Sequence, residues 1–199
     1  MGVGGRDSQG DRRAVVIGGS LGGLAAGIAL REAGWEAEVF ERSWGELEGR
    51  GAGIVVQPEL LSFLEERRTV RSEVGVPAEA RQYLDPDGRV VRVERRRQLM
   101  TSWGKTYTHL RALFPEECYH RGKELVEFEW GGDGVVARFG NGGEEECDLL
   151  VGADGTHSVC RRLLLPAAVP EYAGYVAWRG LVREGDLDEC CEDLRPTAP

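Results

Sequence analysis

The chain has 199 residues, 41% of them hydrophobic, which is enough to bury a core and to build one good-sized domain with part of another. Its formal net charge of −9 argues against nucleic acid as a partner, and its 29 glycines show no Gly-X-Y period, which excludes collagen-like structure and points to many turns. The five cysteines, Cys118, Cys147, Cys160, Cys190 and Cys191, form no Cys-x-x-Cys pair and read as reduced cytoplasmic thiols, while three histidines without ligand spacing exclude a zinc site.

In chain order, residues 1–13 are polar, lack the apolar run of a signal peptide or membrane span, and are expected to be a disordered tail. Ala14–Gly18 reads as a short buried strand. Leu21–Ala33 follows with Leu21, Leu24, Ala25, Ile28 and Ala29 at helical spacing and Gly34 as its stop. Glu36–Glu41 is a second strand, so the first 28 ordered residues form a βαβ unit with parallel strands. Pro58–Glu66 reads as a helix with Leu60, Leu61 and Leu64 inward. Asp85–Val93 reads as a turn leading into an alternating strand, and Glu94–Arg97 as a solvated loop. Tyr107–Phe114 is expected to be a short helix ended by Pro115. Glu124–Trp130, Val135–Phe139 and Cys147–Val151, separated by glycine turns, form an expected antiparallel meander that ends in Val-Gly-Ala-Asp-Gly. The tail beyond is acidic and nearly free of apolar residues.

The stretch Ala14–Ile28 raises the question of a phosphate turn. The dinucleotide fingerprint asks for Gly-x-Gly-x-x-Gly between a strand and a helix. Gly18 and Gly23 fill the first and third places and Ser20 the second, so the turn is altered but keeps a small residue with a hydroxyl to donate. Gly19, Leu21 and Gly22 complete the turn, and the helix N-terminus at Ser20–Gly23 would present free N–H groups and a partial positive charge to a pyrophosphate. The fingerprint also asks for an acid about 20 positions on. Glu41, 18 positions past Gly23, ends the second strand, where a carboxylate accepts ribose hydroxyls and disfavours a 2′-phosphate. A tight structural turn with a surface Glu is the competing reading.

Asp148–Arg161, DLLVGADGTHSVCR, is more specific. It resembles the second motif of the FAD-dependent aromatic hydroxylases, with Asp154, Gly155, Ser158 and Arg161 as the matching residues. The plain alternative is a capped turn, with Asp154 ahead of a helix starting near Ser158. VFERS, LEGRGAGIV, TSW…LRALFP and YAGYVAWRGLV extend the resemblance over Ala14–Val182, toward the members that hydroxylate dihydroxypyridines and related hydroxyaromatics.

The resemblance implies an α/β, Rossmann-like FAD-binding domain over residues 14–166, a parallel sheet with an antiparallel meander, and the start of a substrate domain over 167–199. It implies that Gly18, Ser20 and Gly23 hold the pyrophosphate, that Glu41 holds the ribose with Arg42 near the adenosine, and that Arg50, Gly51, Ala52 and Gly53 lie under the flavin. Tyr107 stands where many relatives place an Arg on FAD. It further implies FAD as cofactor, NAD(P)H as transient reductant, and O₂ and a small aromatic substrate as partners, in a cytoplasmic protein without membrane attachment. The family's third flavin motif, Gly-Asp followed by Ala, His and Pro, does not occur in these residues. The chain therefore reads as the N-terminal part of such an enzyme, with no catalytic base to name and with uncovered sheet faces inviting association with further copies. A non-catalytic FAD-binding fragment, another flavin oxidoreductase and a plain NAD-dependent dehydrogenase remain as rivals.

Overall fold

The computed structural model describes residues 12–47, 53–67, 74–132 and 134–176. Strand β1 (Arg13–Ile17), helix α1 (Leu21–Glu32) and strand β2 (Glu36–Glu41) match the expected unit, with β1 and β2 parallel. β1 is buried on both faces, which is why its residues form an uninterrupted apolar run rather than an alternating one. On one face Val16 packs with Leu24, Ile28, Val39, Leu110 and Phe114. On the other, Val15, Ile17 and Phe40 pack with Phe128, Ala137 and Phe139.

Strand β3 (Gly53–Val55) and helix α2 (Pro58–Glu66) follow, the latter opened by Pro58 as expected and burying Leu64 fully, with Leu60 and Leu61 partly buried. Strands β4 (Val76–Leu84) and β5 (Val90–Ser102) make a long antiparallel ribbon, extended by β3 into a sheet of order β3-β5-β4. β4 has no counterpart among the expected elements. Pro77, Ala78 and Ala80 give it little strand propensity, and it is a strand because β5 pairs with it. Arg95–Arg97 are solvated as expected but sit within β5 rather than in a loop; Arg97 pairs with Glu79 at 2.8 Å.

Helix α3 (Trp103–Leu113) begins four residues before the expected Tyr107, because Ser102 caps it: its Oγ accepts the Lys105 N–H at 3.0 Å. A single 3₁₀ turn (Glu116–Cys118) leads into β6 (Tyr119–Arg121), which pairs with β2. Strands β7 (Leu125–Gly131), β8 (Gly134–Phe139) and β9 (Glu144–Cys147) form the antiparallel meander.

The expected third strand, Cys147–Val151, is corrected by the structure. Cys147 closes β9, whereas β10 (Leu149–Gly152) leaves the meander and lies parallel to β1 in a four-stranded sheet of order β10-β1-β2-β6. The change of sheet occurs at Asp148, which exchanges two bonds with Arg13: its N–H donates to the Arg13 carbonyl at 2.9 Å, and its carboxylate accepts the Arg13 N–H at 2.8 Å. The Arg13 guanidinium reaches Glu38 of β2 at 2.7 Å and Glu145 of β9 at 2.5 Å, tying the meander to the parallel sheet. Burial would raise the Glu38 carboxyl, but hydrogen bonds from Arg13 and His120 outweigh it and hold the group below the usual carboxylate range. Helix α4 (Val159–Leu164) closes the described core. Among the described residues no helix is long and apolar enough to cross a membrane, and no cluster of His, Cys, Asp or Glu could hold a metal ion.

Candidate functional site

The parallel strands β1, β2 and β10 all deliver their C-terminal ends to one edge of the sheet, where ligands of open α/β folds bind. The chain leaves β1 at Gly18, whose φ of +103° suits glycine alone among ordinary residues. A Cβ there would also stand 2.4 Å from the Ala153 carbonyl oxygen at the end of β10. Gly23, on the first turn of α1, lies against the Gly18 carbonyl, and a Cβ would come within 1.7 Å of that oxygen. The first and third places of the fingerprint are thus occupied by glycine for steric reasons, whereas a Cβ on Gly22 would meet nothing. Ser20 is the N-cap of α1 and its side chain makes no capping bond.

Glu41 is buried at 7% exposure, and both its oxygens are engaged. Oε2 accepts the Gly19 N–H and Oε1 the Ser43 N–H, each at 2.8 Å. The carboxylate thereby ties the phosphate turn to the loop after β2. Each oxygen retains a second lone pair for an incoming hydroxyl.

Beyond β10, Asp154 accepts from the Ser158 hydroxyl at 2.5 Å, the Val159 N–H at 2.6 Å and the Cys160 N–H at 3.2 Å. Ser158 in turn caps α4 by accepting the Arg161 N–H at 2.9 Å. Asp154 therefore stands ahead of α4 and accepts its first N–H groups beside the Ser158 cap, as in a capped turn, and its placement at the cleft is additional to that role. Asp154→Ala should lower stability by about 1–2 kcal/mol, read from a urea titration. Arg161 clasps its own loop, donating to the Thr156 carbonyl at 2.5 Å and the Gly155 carbonyl at 3.5 Å. Burial, with the Asp154 charge beside it, pushes the Cys160 thiol up to about 12.

A cleft of about 350 Å³ joins these parts, within the range of small-molecule sites. Its wall brings together Gly18, Ser20, Glu41, Arg42, Asp154 and Gly155 from the residues named by sequence. It also contains Ser43, Trp103, Lys123 and His157, which sequence reasoning missed. Gly19, Leu21, Gly22 and Gly23 are not among the residues that line the cleft. Gly53 opens β3 and pairs with Ser102. Arg161 lies outside the wall, and Arg50, Gly51 and Ala52 fall outside the described residues.

Tyr107 is not at the cleft. It is 1% exposed, stacks on Trp103 at 5.1 Å, and turns its hydroxyl to Glu46 at 3.4 Å and Tyr119 at 3.5 Å. The reason is helix phase: starting α3 at Trp103 places Tyr107 on the face that packs into the core with Leu110.

The donor set fits a dinucleotide. The first N–H groups of α1 have no acceptor within the helix, the Gly18 turn leaves no room for a side chain, and a carboxylate stands one turn away with lone pairs for a ribose.

The protein-family model described as the FAD binding domain matches residues 11–195. The chain is 40% identical over 176 residues to 2,6-dihydroxypyridine 3-monooxygenase of Paenarthrobacter nicotinovorans, covering 88% of this chain and 44% of that protein. The solved structure of 2,6-dihydroxypyridine-3-hydroxylase from Arthrobacter nicotinovorans superposes with a TM-score of 0.83 at 38% identity, over 92% of this chain and 47% of that one. Klebsiella pneumoniae HpxO, solved with FAD and uric acid, gives a TM-score of 0.66 at 26% identity, over 79% of this chain and 43% of that one. The chain spans about half the length of the curated relatives it matches. Since the family model matches nearly the whole length of the chain, the protein belongs to the FAD binding domain family.

Proposed function

We propose that residues 14–166 hold FAD for a NAD(P)H-dependent monooxygenase acting on a small hydroxylated aromatic or pyridine ring, and that residues 167–199 begin its substrate domain. One observation carries the reading: the cleft at the strand ends places the Gly18–Gly23 turn, Glu41 and the Asp154–Gly155 segment around one space. The N-terminus of α1 would take the pyrophosphate, Ser20 would add a hydroxyl donor, Glu41 would accept the ribose hydroxyls, and Arg42 and Lys123 would balance the phosphate charge. Bound FAD would supply the acceptance of hydride and the activation of O₂. The chain itself orients the nucleotide and keeps its turn rigid. The pyridine substrate named for the dihydroxypyridine relatives supports the substrate class. The buried, protonated thiols of Cys147 and Cys160 suit a cytoplasmic protein.

Tyr172, Tyr175 and Val176 are 75%, 74% and 70% exposed, an apolar surface that would draw in further chain or further copies. Spanning about half the length of its relatives, the chain is expected to bind FAD while turning over poorly. The test is a titration with FAD followed by flavin fluorescence, then incubation with NADH, O₂ and a panel of hydroxylated pyridines and phenols, with products read by mass spectrometry. Saturable binding without oxygenated product is the expected result. Absence of FAD binding would remove the reading, and substrate-dependent product would place the entire reaction on these residues.

A further inference from the structure

Gly19 is gripped from two sides. Its N–H donates to Glu41, as described, and its carbonyl accepts the Tyr119 hydroxyl at 2.9 Å. The contact is close enough that a Cβ on Gly19 would lie 2.1 Å from that hydroxyl oxygen. Tyr119 stands on β6, a hundred residues away in sequence, opposite Val39 in the parallel sheet. It is 5% exposed, and its ring is covered by two guanidiniums, Arg111 at 4.3 Å and Arg121 at 5.2 Å from the centroid. Both arginines are held by Glu116, and Arg121 also by Glu46. A tyrosine secured this firmly presents its hydroxyl at one fixed point, and that point is the Gly19 carbonyl. Burial raises the phenol well above its ordinary range, which favours the protonated, donating hydroxyl.

The consequence lies in the peptide plane. A trans peptide sets the carbonyl of one residue and the N–H of the next in opposite directions. With the Gly19 carbonyl turned toward Tyr119 in the core, the Ser20 N–H points away from Tyr119, and Ser20 is one of the residues that border the cleft. We infer that Tyr119 is the positioning residue of the phosphate turn: by holding the Gly19 carbonyl it aims the Ser20 N–H at the nucleotide's phosphate. Tyr107 adds a 3.5 Å hydroxyl contact to it from α3.

The inference rests on the nucleotide reading of the cleft, and the experiment separates the two. Tyr119→Phe keeps the ring and its arginine cover and deletes one hydrogen bond. Calorimetry on the full chain compares ADP, which carries the pyrophosphate, with adenosine, which does not. The variant should bind ADP about fivefold to tenfold more weakly, with adenosine affinity unchanged, while the thermal midpoint of the ligand-free protein falls by a few degrees because the Gly19 carbonyl loses its buried donor. Unchanged ADP affinity, or equal weakening of ADP and adenosine, would overturn the proposal, the second by showing a merely structural role. A wild-type chain that binds neither FAD nor ADP would sink the nucleotide reading instead. The ¹H–¹⁵N spectrum of the ligand-free protein still tests the aim of the turn in that case. Tyr119→Phe should shift the Ser20 amide resonance, and a Ser20 amide left in place would overturn the proposal independently of any ligand.

Discussion

Gly18→Val is expected to abolish FAD binding and to lower the thermal midpoint, while Gly22→Ala leaves both close to wild type and Ser20→Gly is tolerated with only a modest loss of affinity from its missing hydroxyl. A branched side chain at a φ of +103° carries backbone strain of about 1–3 kcal/mol. Its Cβ, 2.4 Å from the Ala153 carbonyl oxygen, adds an overlap of similar cost, because the atom it meets is backbone at the end of a paired strand and cannot swing aside. Relief requires β1 and β10 to separate at their C-terminal ends, and that separation opens the floor of the cleft. The controls isolate the cause. A Cβ on Gly22 meets nothing, and glycine at position 20 restores the usual fingerprint without removing a capping bond, since the Ser20 side chain makes none. FAD titrations and thermal melts of the three variants decide it; normal FAD binding by Gly18→Val would mean that the turn is only structural.

Glu41→Ala should weaken FAD binding by more than about tenfold and cost about 3 kcal/mol of stability, whereas Glu38→Ala should affect stability alone. The buried Glu41 carboxylate accepts two backbone N–H groups, and a hydrogen bond to a charged group is worth about 1.5–3 kcal/mol. Alanine removes both bonds, loosens the Gly19 peptide and deletes the acceptor for the ribose. Glu41→Gln, with one acceptor oxygen left, should fall between. Glu38, three residues earlier on β2, has its carboxylate directed to Arg13 and His120 and does not border the cleft. Equal effects of the two alanine variants in an FAD titration would take the ribose role from Glu41.

The amino-acid sequence alone determined the β1–α1–β2 unit, α2 and the capped turn at Asp154. In each case the signal is local: an apolar run broken by Gly18, helical spacing stopped by Gly34, a proline at a helix's first position, an acid four residues before a serine cap. These features act through the chain's own dihedrals and nearest hydrogen bonds, so they are written in neighbouring letters. The tertiary structure decided the rest. β4 is a strand only because β5 lies beside it. The segment after Glu144 splits between two sheets because Asp148 exchanges bonds with Arg13, 135 residues away. Tyr107 and Tyr119 are both aromatic residues near polar neighbours, and no local pattern tells which of them reaches the phosphate turn. That was settled when α3, begun at Ser102, turned Tyr107 into the core, and when pairing of β6 with β2 set the Tyr119 hydroxyl on Gly19. Lys123 and Trp103 entered the cleft in the same way, carried there by the packing of segments that the sequence leaves far apart, since which side chains border a cavity depends on the relative placement of whole elements.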